Sequence, residues 1–247
     1  MSLLSIIPKP IKSPFKHLLS LYLKQEEMEF SKLLDFGETI SKGDEEALRH
    51  IIGIHDRTIN IVEVGSWKGY STSIMAKLIK RHGGLLFAID TWKGSKGTSD
   101  CNEGTKKDIF SVFRFNMKIL GLVEVVKPMV MTSRVASSIF KNESVDFVFI
   151  DGNHVYEHIR EDILLWLPKI KDGGMIFGHD CEGHYGDFNA SDRKRIDKNK
   201  DIDFIFGLGH CGVIRALYDV FKDAYYLEEN SNIWCYDKHN YNKQEVI

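Results

Sequence analysis

An α/β fold on a mostly parallel sheet is what this sequence predicts, and three observations predict it. Five short apolar runs of strand length recur between residues 59 and 180. The longer segments between them repeat apolar residues at helical spacing, which makes βαβ units rather than hairpins. The runs close on glycines and acids, and a parallel sheet places its ligands beyond the carboxyl ends of its strands.

Taken in order, residues 15–36 set Phe15, Leu18, Leu19, Tyr22, Leu33 and Leu34 among charged positions, the pattern of a partly buried helix. A second short helix is expected over 43–54, after the Ser-Lys-Gly-Asp break. Residues 1–57 are thus expected to form a helical extension packing on a core domain of residues 58–247. The predicted strands are INIVEV (59–64), LLFAID (85–90), VEVVKP (123–128), VDFVFID (145–151) and GMIFGHD (174–180). Between them Ser71, Ile74, Met75, Leu78 and Ile79 share one helical face. Ile109, Val112, Phe113 and Met117 share another, as do Ile159, Ile163, Trp166 and Leu167. A last helix is expected over about 210–222, with AYYLEE and NIWCYD as a hairpin at the sheet edge. The segments 92–105 and 182–208 read as loops able to cover a site. Within the second, Arg193, Lys194 and Arg195 are diluted by Asp192, Asp197, Asp201 and Asp203, as in a solvated loop.

Composition narrows the function. A chain of 247 residues with a hydrophobic fraction of 43% and a charged fraction of 28% is ordinary for a globular protein. A net charge of −2 gives no field favouring nucleic acid or an anionic membrane. The start carries three prolines in a short apolar run, so neither a signal peptide nor a membrane span is expected. Cys101, Cys181, Cys211 and Cys235 form no CxxC, which fits reduced thiols in a cytoplasmic enzyme.

The strand ends carry the chemistry. The first closes as Glu63-Val64-Gly65-Ser66-Trp67-Lys68-Gly69-Tyr70-Ser71, an acid-x-Gly-x-x-x-Gly turn into a helix. Gly65 and Gly69 allow a tight turn and a close approach of bare backbone to a ligand, or simply strand–turn–helix packing. Glu63 would repel a diphosphate and suits a ligand carrying an ammonium group. The second strand closes on Asp90, which can accept from both hydroxyls of a ribose. Thr91 and Trp92 follow, with Trp92 against a base or covering the sheet edge. Glu63 and Asp90 together describe a nucleoside site with a cationic far end, the shape of S-adenosylmethionine.

The motifs VEVGSWKGYST, AIDTWKGS, FIDGNHVYEHIREDILLWLPKIKDGG and IFGHD resemble the small class I S-adenosylmethionine-dependent O-methyltransferases. Within that family the likeness is to macrolide-sugar O-methyltransferases and cephalosporin-hydroxylase-like proteins, over roughly residues 58–237. The resemblance implies an α/β, Rossmann-like class I methyltransferase fold. Its sheet would be mostly parallel and seven-stranded, with helices on both faces and a C-terminal antiparallel hairpin. It implies the methionine moiety near Glu63 and Gly65 and the ribose on Asp90, with Ser66, Gly69, Tyr70, Ser71, Thr91, Trp92 and Asp151 also among the cofactor-binding residues. The adenine would lie near Thr132 and Ser133, although these two residues equally fit a helix cap.

The same resemblance implies a divalent metal between Asp151 and Asp180, both of which would also orient the acceptor. His179 stands where the metal-dependent sugar enzymes carry an acid. Magnesium takes hard oxygen ligands, whereas imidazole suits zinc, manganese or iron, so Mg2+ and another divalent metal both stay open. His154 matches the general base of the sugar enzymes; the other reading is a helix opening with Asn153 as its cap. HDCEGH (179–184) also offers His179, Cys181 and His184 as a zinc site, at a spacing that matches no formed zinc motif. The expected activity is S-adenosylmethionine-dependent O-methylation of a sugar or similar polar small-molecule or glycan acceptor, with no nucleic-acid partner. A homo-oligomer stays open. The alternatives are a nicotinamide-dependent oxidoreductase, a hydroxylase-like member of the same branch, and a non-catalytic cofactor-binding protein in glycan assembly.

Overall fold

The structure, a computed structural model, describes residues 33–37, 40–95 and 99–238. Two compact units divide the chain, Met1–Asp35 and Phe36–Ile247, and every helix and strand named here belongs to the second. The helix expected over 15–36 lies outside the described residues up to residue 32, and residues 33–37 are turn and coil.

Seven strands form one sheet: β1 (Ile61–Val64), β2 (Leu86–Asp90), β3 (Val126–Val130), β4 (Val145–Ile150), β5 (Ile170–Gly178), β6 (Tyr226–Leu227) and β7 (Trp234–Asp237). Their order is β3-β2-β1-β4-β5-β7-β6. The first five are parallel, and β7 pairs antiparallel with both β5 and β6, which is the expected edge hairpin. β1 and β4 are buried at every position, as central strands covered on both faces should be. The order reverses between them, so their carboxyl ends open the crevice where such sheets bind ligands.

Helices cover both faces. On one lie α1 (Lys42–Gly53), α2 (Tyr70–Ile79) and α4 (Ile109–Ile119), packed with Ile61, Leu86 and Phe147. The other carries α5 (Ser133–Ser137), α6 (Tyr156–Trp166) and α8 (Cys211–Phe221), packed with Val62, Val148 and Ile176. α1 starts in a capping box, in which Ser41 Oγ accepts from the Asp44 amide and Asp44 accepts from the Ser41 amide.

Three segments differ from the sequence reading. Val123–Val125 belong to a turn closed on the Leu122 carbonyl, so β3 begins at Val126. Pro128 is tolerated there because β3 is an edge strand. The segment 92–105 contains a short helix, α3 (Ser99–Gly104). The loop expected over 182–208 contains α7 (Ala190–Asn199), capped by the Asn189 side chain accepting from Ser191 and Asp192. Its basic run is helical because its charges pair, Arg195 with Asp192 at 2.9 Å, while Ile196 is buried. One buried apolar residue leaves no stripe in the sequence, which is why the periodicity missed it.

Asp146, 2% exposed on β4, ties three segments together. It accepts from the Asn60 amide at 2.9 Å, Arg57 at 2.6 Å and Lys171 at 3.1 Å. Burial pulls its pKa up, and these donors outweigh burial and hold it below the ordinary carboxylate value. A depressed folded pKa contributes stability that is present above the unfolded value and lost as pH falls through the folded one. Asp146→Asn should therefore cost about 1–2 kcal/mol at neutral pH, the cationic partners being half exposed. The deficit should shrink below about pH 4; a variant whose urea midpoint tracks the parent at pH 7 would contradict this.

Candidate functional site

The turn after β1 is built by Glu63. Its side chain is fully buried and accepts from Ser66 Oγ at 2.9 Å, Ser71 Oγ at 2.6 Å and Thr72 Oγ1. Burial raises its pKa to about 7 against those three donors. The carboxylate thus faces the hydroxyls of its own turn and does not line the adjoining cavity. Ser66 and Ser71 serve Glu63, and Tyr70 donates to Glu45 Oε2 at 3.0 Å. Gly69 packs toward Phe113 and Met117, with φ +87 at the start of α2. Gly65 differs. At φ +90 it lines the cavity, and a Cβ there would run into the Asp151 carbonyl.

Asp90 ends β2 and also lines the cavity. It accepts from the Trp67 amide at 2.8 Å and the Trp92 amide at 2.7 Å, and burial raises its pKa. Lone pairs remain for a ligand's hydroxyls, since a carboxylate offers about four acceptor sites. Trp92 is in the core: its indole donates to the Trp67 carbonyl at 2.6 Å and its ring packs on Phe110 and Phe113. It does not line the cavity, while Thr91 does. Of the two readings of Thr132 and Ser133, Thr132 meets the helix cap. Thr132 Oγ1 caps α5, Ser133 Oγ accepts from the Trp166 indole at 2.8 Å, and both residues line the cavity.

The cavity holds about 560 Å3 at the carboxyl ends of β1, β2, β3 and β4. Gly94, Ser95 and Asp100 from the 92–105 segment border it. Asp151 borders it too, and is also part of a cluster of histidines and carboxylates beyond.

In that cluster His179 Nδ1 lies 3.1 Å from Asp180 Oδ1 and 3.6 Å from Asp151 Oδ1, while Nε2 lies 3.1 Å from Asp44 Oδ2. His154 Nε2 lies 2.9 Å from Asp180 Oδ2 and 3.9 Å from Asp151 Oδ1. Its Nδ1 hydrogen-bonds Asp203 at 2.9 Å. The His154 and His179 Nε2 atoms are sealed from solvent without a well-directed hydrogen bond, close though the carboxylates are. His210 Nδ1 lies 2.7 Å from Glu182 Oε1 and 3.5 Å from Asp180 Oδ1. Burial opposes charge on both His154 and His179, and the surrounding carboxylates overcome it, lifting both imidazoles well above their ordinary pKa. Burial likewise opposes charge on Asp151 and Asp180, and the same imidazoles hold both carboxyls below the usual range. Asp180 itself sits at φ +62, a backbone state uncommon outside glycine and kept where surroundings impose it.

A divalent cation fits this donor set. Asp151, His179 and Asp180 offer atoms all within 4.8 Å of one another, and His154, Asp180 and His210 form a second such group. Outer carboxylates on Asp44 and Asp203 hold the far ring nitrogens of His179 and His154, as partners behind metal-bound histidines do, while Glu182 contacts the His210 Nδ1 that faces Asp180. Mixed imidazole and carboxylate donors suit manganese, iron or zinc better than magnesium. The Cys181 and His184 alternative does not converge, because Cys181 is buried on the Gly183 carbonyl and His184 stacks on Tyr225. Asp44, Asp203 and Glu182 escaped the sequence reading. Asp44 shows there only in the Ser-Lys-Gly-Asp break before a helix, and the other two sit in a segment without periodicity.

A methyltransferase-domain family matches residues 62–181. A protein of Sinorhizobium fredii, y4gI, described as uncharacterized, is 27% identical over 130 residues. That match covers 51% of this chain and 13% of the relative's length. Cofactor-bound Rv0187 from MTB superposes with a TM-score of 0.56 at 12% identity, covering 94% of this chain and 99% of that one. An O-methyltransferase from Bacillus cereus in complex with SAH gives 0.52 at 18% identity, covering 94% and 93%. At these identities the likeness is one of fold. Among the described residues no helix is long and apolar enough to cross a membrane.

Proposed function

From a chain that has the class I S-adenosylmethionine methyltransferase fold and matches the methyltransferase-domain family over residues 62–181, we propose an O-methyltransferase acting on a hydroxyl of a sugar or similar polar molecule. One observation carries the reading: Asp151 borders both the nucleoside-sized cavity and the histidine–carboxylate cluster. A methyl donor in the first then faces an acceptor oxygen held at the second.

Asp90 takes the ribose hydroxyls and Gly65 lets the donor lie against bare backbone. Asp151, His179 and Asp180 would hold a divalent cation, and its positive charge would lower the pKa of an acceptor hydroxyl. His154 receives the hydroxyl proton on Nε2 while Asp203 holds its Nδ1. The surrounding carboxylates favour the protonated form of that imidazole, and a cation bound among them would favour the neutral form that can accept a proton. The methyl group moves by in-line displacement from the sulfonium, so the chain contributes chiefly alignment. Asp203, Glu182 and His210 give the acceptor side a polar wall, and Phe204, packed 5.2 Å from His210, adds an apolar one.

Titration calorimetry tests the donor: S-adenosylhomocysteine should bind and NAD should not, and the reverse would end this reading. His154→Ala should keep S-adenosylhomocysteine affinity within about threefold and lower methyl transfer to a sugar acceptor about 10²–10⁴-fold. Undiminished turnover would remove His154 from the mechanism.

A further inference from the structure

The histidine–carboxylate cluster offers more donors than one cation needs. Beside Asp151, His179 and Asp180 stands the second group, His154, Asp180 and His210, whose ligand atoms also lie within 4.8 Å of one another. The two groups share Asp180 alone. Its Oδ2 lies 2.9 Å from His154 Nε2, while its Oδ1 lies 3.1 Å from His179 Nδ1 and 3.5 Å from His210 Nδ1. A carboxylate so placed can bridge two cations, which in two-metal sites stand about 3.5–4 Å apart.

The second group has the build of a ligand site. Asp203 occupies His154 Nδ1 at 2.9 Å, which leaves Nε2 as the ligand atom of that ring. That Nε2 is sealed from solvent without a well-directed hydrogen bond, a costly state for a buried polar atom unless a ligand completes it. His210 stands immediately before α8, where Glu182 Oε2 accepts from its amide at 2.9 Å and Oε1 lies 2.7 Å from its Nδ1. Glu182 thus fixes the ring and sets a further oxygen beside its ligand atom. The His154 and His210 rings pack edge to face at 4.8 Å, each with a nitrogen toward Asp180. Donor type separates the two groups: the first has two carboxylates and one imidazole, the second two imidazoles and one carboxylate. Imidazole suits zinc, copper, iron or nickel, whereas carboxylate suits magnesium or manganese. We propose that His154, Asp180 and His210 form a second cation site that takes zinc, and that zinc bound there inhibits the enzyme. A lone pair of His154 Nε2 engaged by zinc is no longer available to a proton, so the ion captures the base. The site itself needs only the cluster; its inhibitory effect rests on the O-methyltransferase reading above.

Zinc titration of the metal-free full chain by calorimetry, with bound metal counted after gel filtration, reads the site directly. The unaltered chain should bind two zinc ions, one for each group of ligand atoms. His210→Gln removes a ligand of the second group only, and one zinc should remain. A single zinc on the unaltered chain overturns the proposal. So does a His210→Gln variant that still binds two, which would place the extra ion elsewhere on the surface. Should His210→Gln fail to fold, His154→Gln decides by the same count. The inhibitory effect has its own arm. In the manganese-loaded unaltered chain, an equivalent of zinc should lower methyl transfer to a sugar acceptor about 10²–10⁴-fold, the loss expected from removing the base. An undiminished rate with zinc bound overturns inhibition. Failure of S-adenosylhomocysteine to bind would sink the enzyme reading, and inhibition with it, while the zinc count decides the site separately.

Discussion

Asp180→Asn is expected to abolish divalent-cation binding in the useful range while leaving S-adenosylhomocysteine affinity close to that of the parent. The backbone should survive, since Asn tolerates φ +62 as well as Asp does and the side chains have the same shape. The charge is what changes. Asp180 is the acid common to both groups of atoms placed so that they could hold a cation, with Oδ2 toward His154 and Oδ1 toward His179. Losing an outer partner of a metal ligand costs about 10- to 100-fold in affinity, and losing a ligand should exceed about 100-fold. The cation-free protein should also unfold more easily, by about 1–3 kcal/mol, because two buried imidazoliums lose their shared counter-charge. Manganese titration, S-adenosylhomocysteine titration and a urea melt read these separately. Unchanged manganese affinity would show that Asp151 and Asp180 do not form a metal centre. Asp180 does not line the nucleoside cavity, so a large loss of cofactor affinity would argue that the variant has rearranged more than the cluster.

Gly65→Ala should have the largest effect on cofactor binding. Two costs coincide there. The residue sits at φ +90, which an L side chain adopts at a penalty of about 1–2 kcal/mol. The added Cβ would also run into the carbonyl oxygen of Asp151, on the neighbouring strand end. Neither atom can move cheaply, because the Gly65 amide donates to the Ile89 carbonyl and the Asp151 amide to that of Val64. Relief must come from separating the ends of β1 and β4, which is the crevice itself. We expect at least about 3 kcal/mol of destabilisation and a loss of S-adenosylhomocysteine binding beyond proportion to it. Gly83→Ala is the control: it too has a positive φ, +78, but a Cβ there meets nothing within 4 Å. Its cost should be the backbone penalty alone, with cofactor binding intact. Equal losses in the two variants would mean that strain, and not the contact with Asp151, governs the crevice.

Some of this was legible from residues alone and some was not. The runs at 59–64, 85–90 and 145–151 became β1, β2 and β4 almost where expected, because interior strands covered on both faces read as nearly continuous apolar runs. α7 stayed hidden because its helicity rests on capping by Asn189 and on charge pairs, with Ile196 alone turned inward. Gly65, Asp90, Thr91 and Asp151 were named at strand ends and Thr132 and Ser133 from the family resemblance, and all six line one cavity. Glu63, Ser66, Tyr70, Ser71 and Trp92 were named by the same logic and point elsewhere. A position next to a ligand loop does not specify side-chain direction, and alternate residues of a turn face opposite ways.

What the sequence determined by itself is the strand–helix alternation and the set of strand ends that meet ligands, since both follow from local periodicity and from the geometry of parallel sheets. Tertiary structure alone decided which acids meet. Asp44 reaches His179 from α1, Asp203 reaches His154 from the segment before α8, and Asp162 reaches the Thr132–Ser133 loop from α6. The physical reason is that charge–charge and hydrogen-bond contacts act over a few ångströms in space. Residues far apart along the chain come within that range only when the sheet and its helices have packed.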